Sequence, residues 1–304
     1  MAEDIKKRFY DITGESNVKE YEPMKMHTTF RAGGPARYYI CPHTVSEISQ
    51  ILQVCREYEL SWFILGRGSD LLVSDQGYDG VIIQMYQNFD DIAIEGNQIR
   101  ALSGALLSRI AARAQKASLG GFEFASGIPG TLGGAVMMDA GAYGGEMKQV
   151  LAGATVMDQA GNVIKLAADE LHLGYRTSVI KEKNYIVLEA ILELIPKDKE
   201  EILVLMNDLQ ERRACKQPLE YPSAGSTFKR PKGYFAGKLI MDSGLRGYCV
   251  GGACVSEKHC GFVINRDNAS ASEIYQLISY IRRTVHERFG VWLEPEVKML
   301  GKFD

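Results

Sequence analysis

Residues 125–145 read ASGIPGTLGGAVMMDAGAYGG, a tract in which seven of twenty-one positions are glycine. No other feature restricts the fold of this chain so tightly. Helices and strands lose stability at each glycine, so such a tract serves a backbone that turns sharply or approaches something closely. Successive amide groups freed of side chains can also surround an anion. Gly127, Gly130 and Gly133 recur every three residues. That spacing is neither the G-x-G-x-x-G dinucleotide fingerprint nor the G-x-x-x-x-G-K-[ST] phosphate loop, so a nicotinamide-binding Rossmann domain and a P-loop enzyme both lose support. Tight packing without a ligand is the competing explanation. A second loop, Gly66-Arg67-Gly68-Ser69-Asp70, follows the apolar run 62–65 and adds backbone donors beside Arg67 and Ser69. Two such loops suit a ligand that carries a diphosphate between two ring systems.

The remaining composition is that of an ordinary globular protein. The 304 residues are 46% hydrophobic and 24% charged, enough for two or three cores. Thirty-five basic against 38 acidic residues leave a net charge of −3, which argues against nucleic-acid binding but is compatible with a local basic pocket for a phosphorylated small molecule. Residues 1–13 are charged and lack the apolar core of a signal peptide. No apolar run reaches the length of roughly 18 residues that a membrane span needs. The cysteines are Cys41, Cys55, Cys215, Cys249, Cys254 and Cys260. Cys249, Cys254, His259 and Cys260 cluster without the paired spacing of a zinc site, so no metal is expected. Nor do the spacings resemble a disulfide framework in a chain this long. The expectation is reduced thiols packed in a core, in a reducing cytoplasm.

Three segments follow from the patterning. In the first, a strand at 36–41 leads to a helix opened by the capping-box pair Thr44 and Glu47. Val45, Ile48, Leu52 and Cys55 share one face of that helix, and apolar runs at 62–65 and 81–85 complete a βαβ unit. The second has a hairpin, 92–95 and 98–102, turning at Gly96-Asn97. An alanine-rich helix at 105–119 stops at Gly120-Gly121 and precedes the glycine tract. A hairpin over 153–166, a strand at 185–194 and a helix at 199–213 complete the segment. The third is turn-rich from Gln217 onward. It ends in a helix capped by Ser270 and Glu273, striped by Ile274, Leu277, Ile278, Ile281 and Val285, and stopped by Gly290. A strand-like run at 291–300 is interrupted by Pro295. The expected domains are 1–86, 87–213 with the final strand 291–304 returning to it, and 214–290.

Chemistry-bearing residues are few. Ser226 lies in Ser223-Ala224-Gly225-Ser226-Thr227-Phe228-Lys229-Arg230-Pro231, and no G-x-S-x-G elbow supports a hydrolase nucleophile. A serine in a glycine turn is usually structural. Here Arg212, Lys216, Lys229 and Arg230 surround it in sequence, a setting for an anionic ligand in which a hydroxyl can protonate a strongly basic carbanion. Glu294 and Glu296 flank Pro295 and share a face only if the proline preserves the strand; alone, such a pair reads as solvated surface. Arg176, after Tyr175, is likewise a surface residue until something pairs with it.

Taken together, the motifs resemble the UDP-N-acetylenolpyruvoylglucosamine reductase family. The matching stretches are Thr28-Thr29-Phe30-Arg31-Ala32-Gly33-Gly34-Pro35-Ala36, Leu65-Gly66-Arg67-Gly68-Ser69-Asp70-Leu71-Leu72, Gly127-Ile128-Pro129-Gly130-Thr131 through Gly134-Ala135, Ala140-Gly141-Ala142-Tyr143-Gly144, Tyr175-Arg176-Thr177-Ser178, Ala224-Gly225-Ser226-Thr227-Phe228-Lys229 and Leu293-Glu294-Pro295-Glu296-Val297. They run in order over residues 25–301. The resemblance implies an α+β chain: a two-subdomain FAD-binding fold of the p-cresol methylhydroxylase type, then a smaller α/β substrate-binding domain. It implies non-covalent FAD, NADPH as hydride donor and a UDP-sugar substrate, in a cytoplasmic enzyme of peptidoglycan precursor synthesis, with a monomer favoured.

Carried over residue by residue, the resemblance makes Arg176, Ser226 and Glu296 catalytic. It gives the cofactor Gly66, Arg67, Gly68, Ser69, Asp70, Ser126, Gly127, Ile128, Pro129, Gly130, Thr131, Gly134, Asp139, Gly141 and Tyr143. The substrate receives Tyr175, Arg212, Lys216, Lys229 and Arg230. Asp139 stands where the family usually has asparagine, and Cys260 where alanine is expected. The short connection from Arg176 to the strand at 185 leaves no room for the inserted loop and substrate-clamping tyrosine of the family's long form, so the chain resembles the short-loop form and Arg230 is expected to take over part of the phosphate clamp. The alternatives are another flavoenzyme of this fold and a nucleotide-sugar binding module without redox chemistry.

Overall fold

The computed structural model describes residues 2–303 and divides into two compact units. The first comprises the N-terminal residues up to Lys19, Tyr38–Gly66 and Gly80–Arg213; the second comprises Glu20–Arg37, Arg67–Asp79 and the chain from Ala214 onward.

The first unit has two cores. In one, helices α1 (Ala2–Thr13) and α2 (Val45–Glu57) pack together. The strand Trp62–Leu65 runs parallel to Tyr78–Gln84 within one sheet. The hydroxyl of Thr44 accepts the Glu47 amide at 3.1 Å, the cap that the Thr-x-x-Glu spacing predicts. It starts α2 in the phase that buries Ile48, Leu52 and Cys55. Burial pushes the Cys55 thiol up to about 12. Helix α1 was not foreseen, because its apolar residues, such as Ile5 and Phe9, are sparse among charges. Phe9 is nevertheless fully buried, edge-on to Tyr38 at 5.3 Å between ring centroids.

The other core lies on a five-stranded antiparallel sheet. Its order is Val163–Ala167, Leu151–Met157, Ile186–Glu193, Gln98–Leu102, Ile92–Glu95. Alternation places Ile99 and Ala101 inward while Gln98 and Arg100 face out. Helix α3 (Leu107–Lys116) lays Leu107, Ile110, Ala111 and Ala114 against this core, the one-sided spacing of an amphipathic helix. Complete burial of Leu107 or Ile110 stabilises by about 1.5–3 kcal/mol each. Helices α4 (Leu132–Met137), α5 (Val179–Glu182) and α6 (Lys199–Lys216) follow. Helix α4 lies within the glycine tract and packs on the strand Ile186–Glu193.

The second unit is built around a three-stranded antiparallel sheet, Cys249–Val250, Ala253–Val255 and Val263–Asn265. Helices α7 (Ala236–Asp242) and α8 (Ala271–Phe289) bury Leu239, Ile240, Ile274, Leu277, Ile278, Ile281 and Val285 in the same core as Val255 and Val263. The capping box of α8 forms in both directions: Ser270 accepts the Glu273 amide at 3.1 Å, and the Glu273 carboxylate accepts the Ser270 amide at 3.0 Å. Asp75 adds a second cap, accepting the Ala271 and Ser272 amides at 2.8 Å each. Burial opposes its charge, but those amides and the Ser272 hydroxyl hold the Asp75 carboxyl below the usual range. Gly290, at φ 67°, ends the helix in the left-handed conformation glycine takes without penalty.

Two expectations are corrected. The run 291–300 is not one strand: only Lys298–Leu300 is extended, pairing parallel with Leu71–Val73, and Pro295 makes an isolated bridge to Phe228. A proline has no amide to lend to a ladder. Cys249 and Cys254 are not free thiols but are joined in a disulfide. A two-residue turn, Gly251-Gly252, brings the two strands back in a register that sets Cys249 opposite Cys254. The Gly-Gly dipeptide is a hairpin signal, and it identifies the pair in hindsight. Among the described residues, no group of three or more His, Cys, Asp or Glu could hold a metal ion, and no helix is long and apolar enough to cross a membrane.

Candidate active site

In the first unit the glycine tract divides into packing positions and open ones. A Cβ at Gly133 would stand 2.9 Å from the Ser103 side chain, and one at Gly145 would strike the ring of Phe124. A side chain at Gly66 would run into Thr131 Oγ1, so the end of the strand Trp62–Leu65 and the tract meet closely. Part of the tract is therefore glycine for packing alone. Gly134 differs: a Cβ there meets only Thr131 Oγ1, at 3.9 Å. Ser126, Gly127, Ile128 and Gly130 are half-buried and Pro129 is exposed. The turn is held from below, where Ser126 Oγ donates to the Glu123 carbonyl at 2.8 Å and the Gly130 carbonyl accepts the Leu107 amide at 3.1 Å.

Asp139 follows α4 at φ 45°, and Tyr143 lies at φ 54° in the next turn. Both are left-handed conformations, which aspartate tolerates better than most residues. The Asp139 side chain is buried, with Oδ1 accepting the Lys148 amide at 2.9 Å and Oδ2 without a hydrogen-bond partner among the described residues. Burial raises its pKa, and the Glu146 carboxylate adds to the rise against the Lys148 amide and charge. Arg176, at φ 59°, points Nη1 at the Asp139 carbonyl oxygen, 3.5 Å away, and sits 5.0 Å from the centroid of the exposed Tyr175 ring. Ser178 donates to the Met137 carbonyl at 2.6 Å, tying the 175–178 turn to the end of α4. Gly141 pairs with Glu146, turning the backbone at Tyr143-Gly144.

One arginine was missed. Arg213 lies against Gly127, where a Cβ would stand 3.3 Å from its Cδ and Nη1. Burial lowers its pKa, partly offset by Tyr143. Its neighbour Arg212 instead pairs with Asp208 within α6, at 2.8 Å. Sequence adjacency alone cannot separate the two; the helical phase puts Leu209 inward, four residues before Arg213 and on the same face.

In the second unit, Gly68 takes φ 65° and its carbonyl accepts the Thr29 amide at 3.0 Å. The Asp70 carbonyl accepts the Lys298 amide at 3.1 Å, Ser69 is half-buried and Arg67 exposed.

Ser226 is exposed, on a segment held on both sides. Thr227, fully buried, is the fastening: its amide donates to Gly261 O and its hydroxyl accepts the Val263 amide, both at 2.9 Å. Its carbonyl accepts the Glu296 amide, also at 2.9 Å. Two residues on, the Lys229 amide donates to the Glu294 carbonyl at 2.9 Å, and Lys229 Nζ pairs with the Glu294 carboxylate. Ser226 and Glu296 are thus on neighbouring stretches of backbone, though 70 positions apart in sequence. Glu294 is mostly exposed whereas Glu296 is half-buried. Arg230 lies over the Phe235 ring, 4.1 Å from its centroid, and Lys216 is exposed at the end of α6.

FAD fits the first unit on two observations. A Cβ at Gly134 would meet little, and Asp139 keeps a buried carboxyl oxygen with no hydrogen-bond partner among the described residues, the kind of atom that a ligand group or water completes.

Comparisons with known proteins agree. Residues 36–167 match the family model described as an FAD binding domain, and residues 217–300 match that of the UDP-N-acetylenolpyruvoylglucosamine reductase C-terminal domain. The reductase of that name from Agathobacter rectalis is 52% identical, covering 93% of this chain and 93% of its own. That of Alkaliphilus metalliredigens is 48% identical over 99% of both. The crystal structure of the Thermus caldophilus reductase superposes with a TM-score of 0.80 at 34% identity, covering 93% of this chain and 98% of its own. A glucose dehydrogenase, Phl p 4.0202, reaches a TM-score of 0.50 at 16% identity over 64% of this chain and 44% of its own, a likeness of fold alone. Near-complete coverage at about half identity, with both domain models matched in order, establishes that the chain belongs to the UDP-N-acetylenolpyruvoylglucosamine reductase family.

Proposed function

We propose that this chain reduces UDP-N-acetylglucosamine enolpyruvate to UDP-N-acetylmuramate with NADPH, in peptidoglycan precursor synthesis, acting in the cytoplasm as a monomer. The observation that carries the site assignment is Thr227, which fastens Ser226 and Glu296 on adjacent backbone within the domain that matches the reductase C-terminal model.

When bound, FAD supplies the β-carbon of the enolpyruvyl group with a hydride taken from NADPH. The protein handles the charge and the proton. As the β-carbon is reduced, negative charge develops on the α-carbon and its carboxylate. Arg176 stabilises that charge, its guanidinium already oriented by the Asp139 carbonyl. Ser226 then gives its hydroxyl proton to the α-carbon; a hydroxyl is a weak acid, but a carbanion is a much stronger base. Glu296, on the stretch paired to Thr227, is the residue that steadies the carboxylate in its enolate-like form. Lys229 reaches the substrate with its charge already balanced by Glu294, which leaves Arg230, on the Phe235 ring, as the phosphate contact.

Within the first unit, the glycine tract would hold the cofactor. In this reading Arg213, behind Gly127, adds positive charge to the tract.

Product analysis tests the reading. Enzyme, NADPH and UDP-N-acetylglucosamine enolpyruvate should yield a sugar nucleotide heavier by two hydrogens, with one NADPH consumed per product. NADPH oxidation that proceeds only with oxygen, leaving the sugar nucleotide unchanged, contradicts it.

A further inference from the structure

We infer that Cys249 and Cys254 form a peroxide-responsive thiol–disulfide site that sets the stiffness of the sheet to which the Ser226 segment is paired. The two residues face each other across the Gly251-Gly252 hairpin and are joined with Cα atoms 4.1 Å apart. Their environments differ: Cys249 is exposed, and Cys254 is 4% exposed, packed with Phe262 and Ile264.

The hairpin does not depend on the bond. Val250 pairs with Ala253, the Val255 amide donates to Tyr248 O at 2.8 Å, and the Gly252 amide donates to the Glu273 carboxylate at 3.2 Å. On reduction a Cys249 S–H would have an acceptor in reach, because in the disulfide form Cys249 Sγ lies 3.3 Å from the Gly247 carbonyl oxygen. The backbone bonds that hold the hairpin involve neither sulfur. In a reducing compartment a persistent structural disulfide is rare, and an exposed one is the labile kind.

The path to Ser226 is a continuous ladder. Cys254 pairs with Ile264, and Ile264 bridges to Ser223. Val263 donates to the Thr227 hydroxyl, and the Thr227 amide donates to Gly261 O. Clamping one edge of such a ladder restrains the strands paired to it.

The oxidation balances with a hydroperoxide as oxidant. The accessible Cys249 thiolate attacks the peroxide oxygen; the O–O bond breaks, giving a sulfenic acid. Cys254 sulfur attacks the sulfenic sulfur, the S–S bond forms and water leaves. Overall, two thiols and hydrogen peroxide give one disulfide and two waters. A dithiol reverses the change by exchange.

The test uses full-length protein carrying Cys215→Ser, which removes the exposed free cysteine. After hydrogen peroxide treatment, denaturation and maleimide labelling, the peptide spanning 249–254 should be unlabelled and lighter by two hydrogens. Dithiothreitol should restore two labelled sites, and Cys249→Ser should leave Cys254 labelled after peroxide. Amide hydrogen exchange at Thr227 and Val263 should then be at least about fivefold slower in the oxidised protein, the low end of coupling between distinct sites. Two labelled thiols after peroxide, a sulfinic acid at Cys249 or a Cys254–Cys260 bond would overturn the site. Equal exchange in the two states would overturn the coupling. Neither measurement uses the proposed activity.

Discussion

The Glu296 amide donates to the Thr227 carbonyl across 2.9 Å, and this one bond sets the half-buried Glu296 beside the segment that carries Ser226. Serine and carboxylate thus share a backbone frame, so the loss of either side chain should leave the frame in place. Ser226→Ala should slow reoxidation of the NADPH-reduced enzyme by the sugar nucleotide roughly 10²–10⁴-fold, the usual range for a proton donor. The rate of flavin reduction by NADPH should not change. Rapid-mixing absorbance in the flavin band separates the two half-reactions; equal loss in both contradicts the assignment.

Thr227 itself is structural. Thr227→Val keeps the shape but leaves the Val263 amide without its acceptor. Urea denaturation should show a loss of about 1–3 kcal/mol, the penalty for an unsatisfied buried donor.

Arg176 should behave differently from both. Arg176→Ala should lower kcat roughly 10²–10³-fold, as when an oxyanion-stabilising donor is removed. Arg176→Lys should recover little of it, because an ammonium cannot engage the Asp139 carbonyl and a carboxylate in the same planar geometry. Comparable kcat values for the lysine variant and the unaltered enzyme would contradict the role.

Asp139 predicts a pH dependence. Its folded pKa is raised by burial, so the folded state binds the proton more tightly than the unfolded state. Stability from this group is greatest below the ordinary aspartate value of about 3.9 and falls as pH rises through the folded pKa. Asp139→Asn keeps an oxygen for the Lys148 amide and carries no charge. Thermal denaturation should therefore show a Tm advantage for the asparagine variant that is larger at about pH 8 than at about pH 4. A constant difference would contradict the buried-carboxyl account.

Arg230→Ala should raise the KM for the sugar nucleotide, while flavin reduction is spared. An unchanged KM would remove Arg230 from the phosphate clamp.

Much of this was legible in the residues. The capping pairs Thr44 with Glu47 and Ser270 with Glu273 mark helix starts because the motif is local. The glycine tract was legible as a close-approach backbone, but not as the mixture it is: Gly145 packs on Phe124 whereas Gly134 stays open, a difference that only tertiary contacts create. Proximity of Ser226 and Glu296 came from the resemblance, since no local pattern joins residues 70 apart. The cysteine pair was misjudged because disulfide frameworks are sought in small secreted chains, whereas this pair follows from a two-residue hairpin. Arg213 was passed over for Arg212 because the apolar stripe of α6 is weak: Leu203 and Val204 are exposed, and Ile202 and Leu209 are buried.

The most direct measurement is anaerobic. Enzyme reduced by one equivalent of NADPH, mixed without oxygen with UDP-N-acetylglucosamine enolpyruvate, should regain the absorbance of oxidised flavin in a single turnover and release the saturated lactyl ether. Flavin that stays reduced until oxygen is admitted would contradict the proposed reaction, whatever its rate of reduction by NADPH.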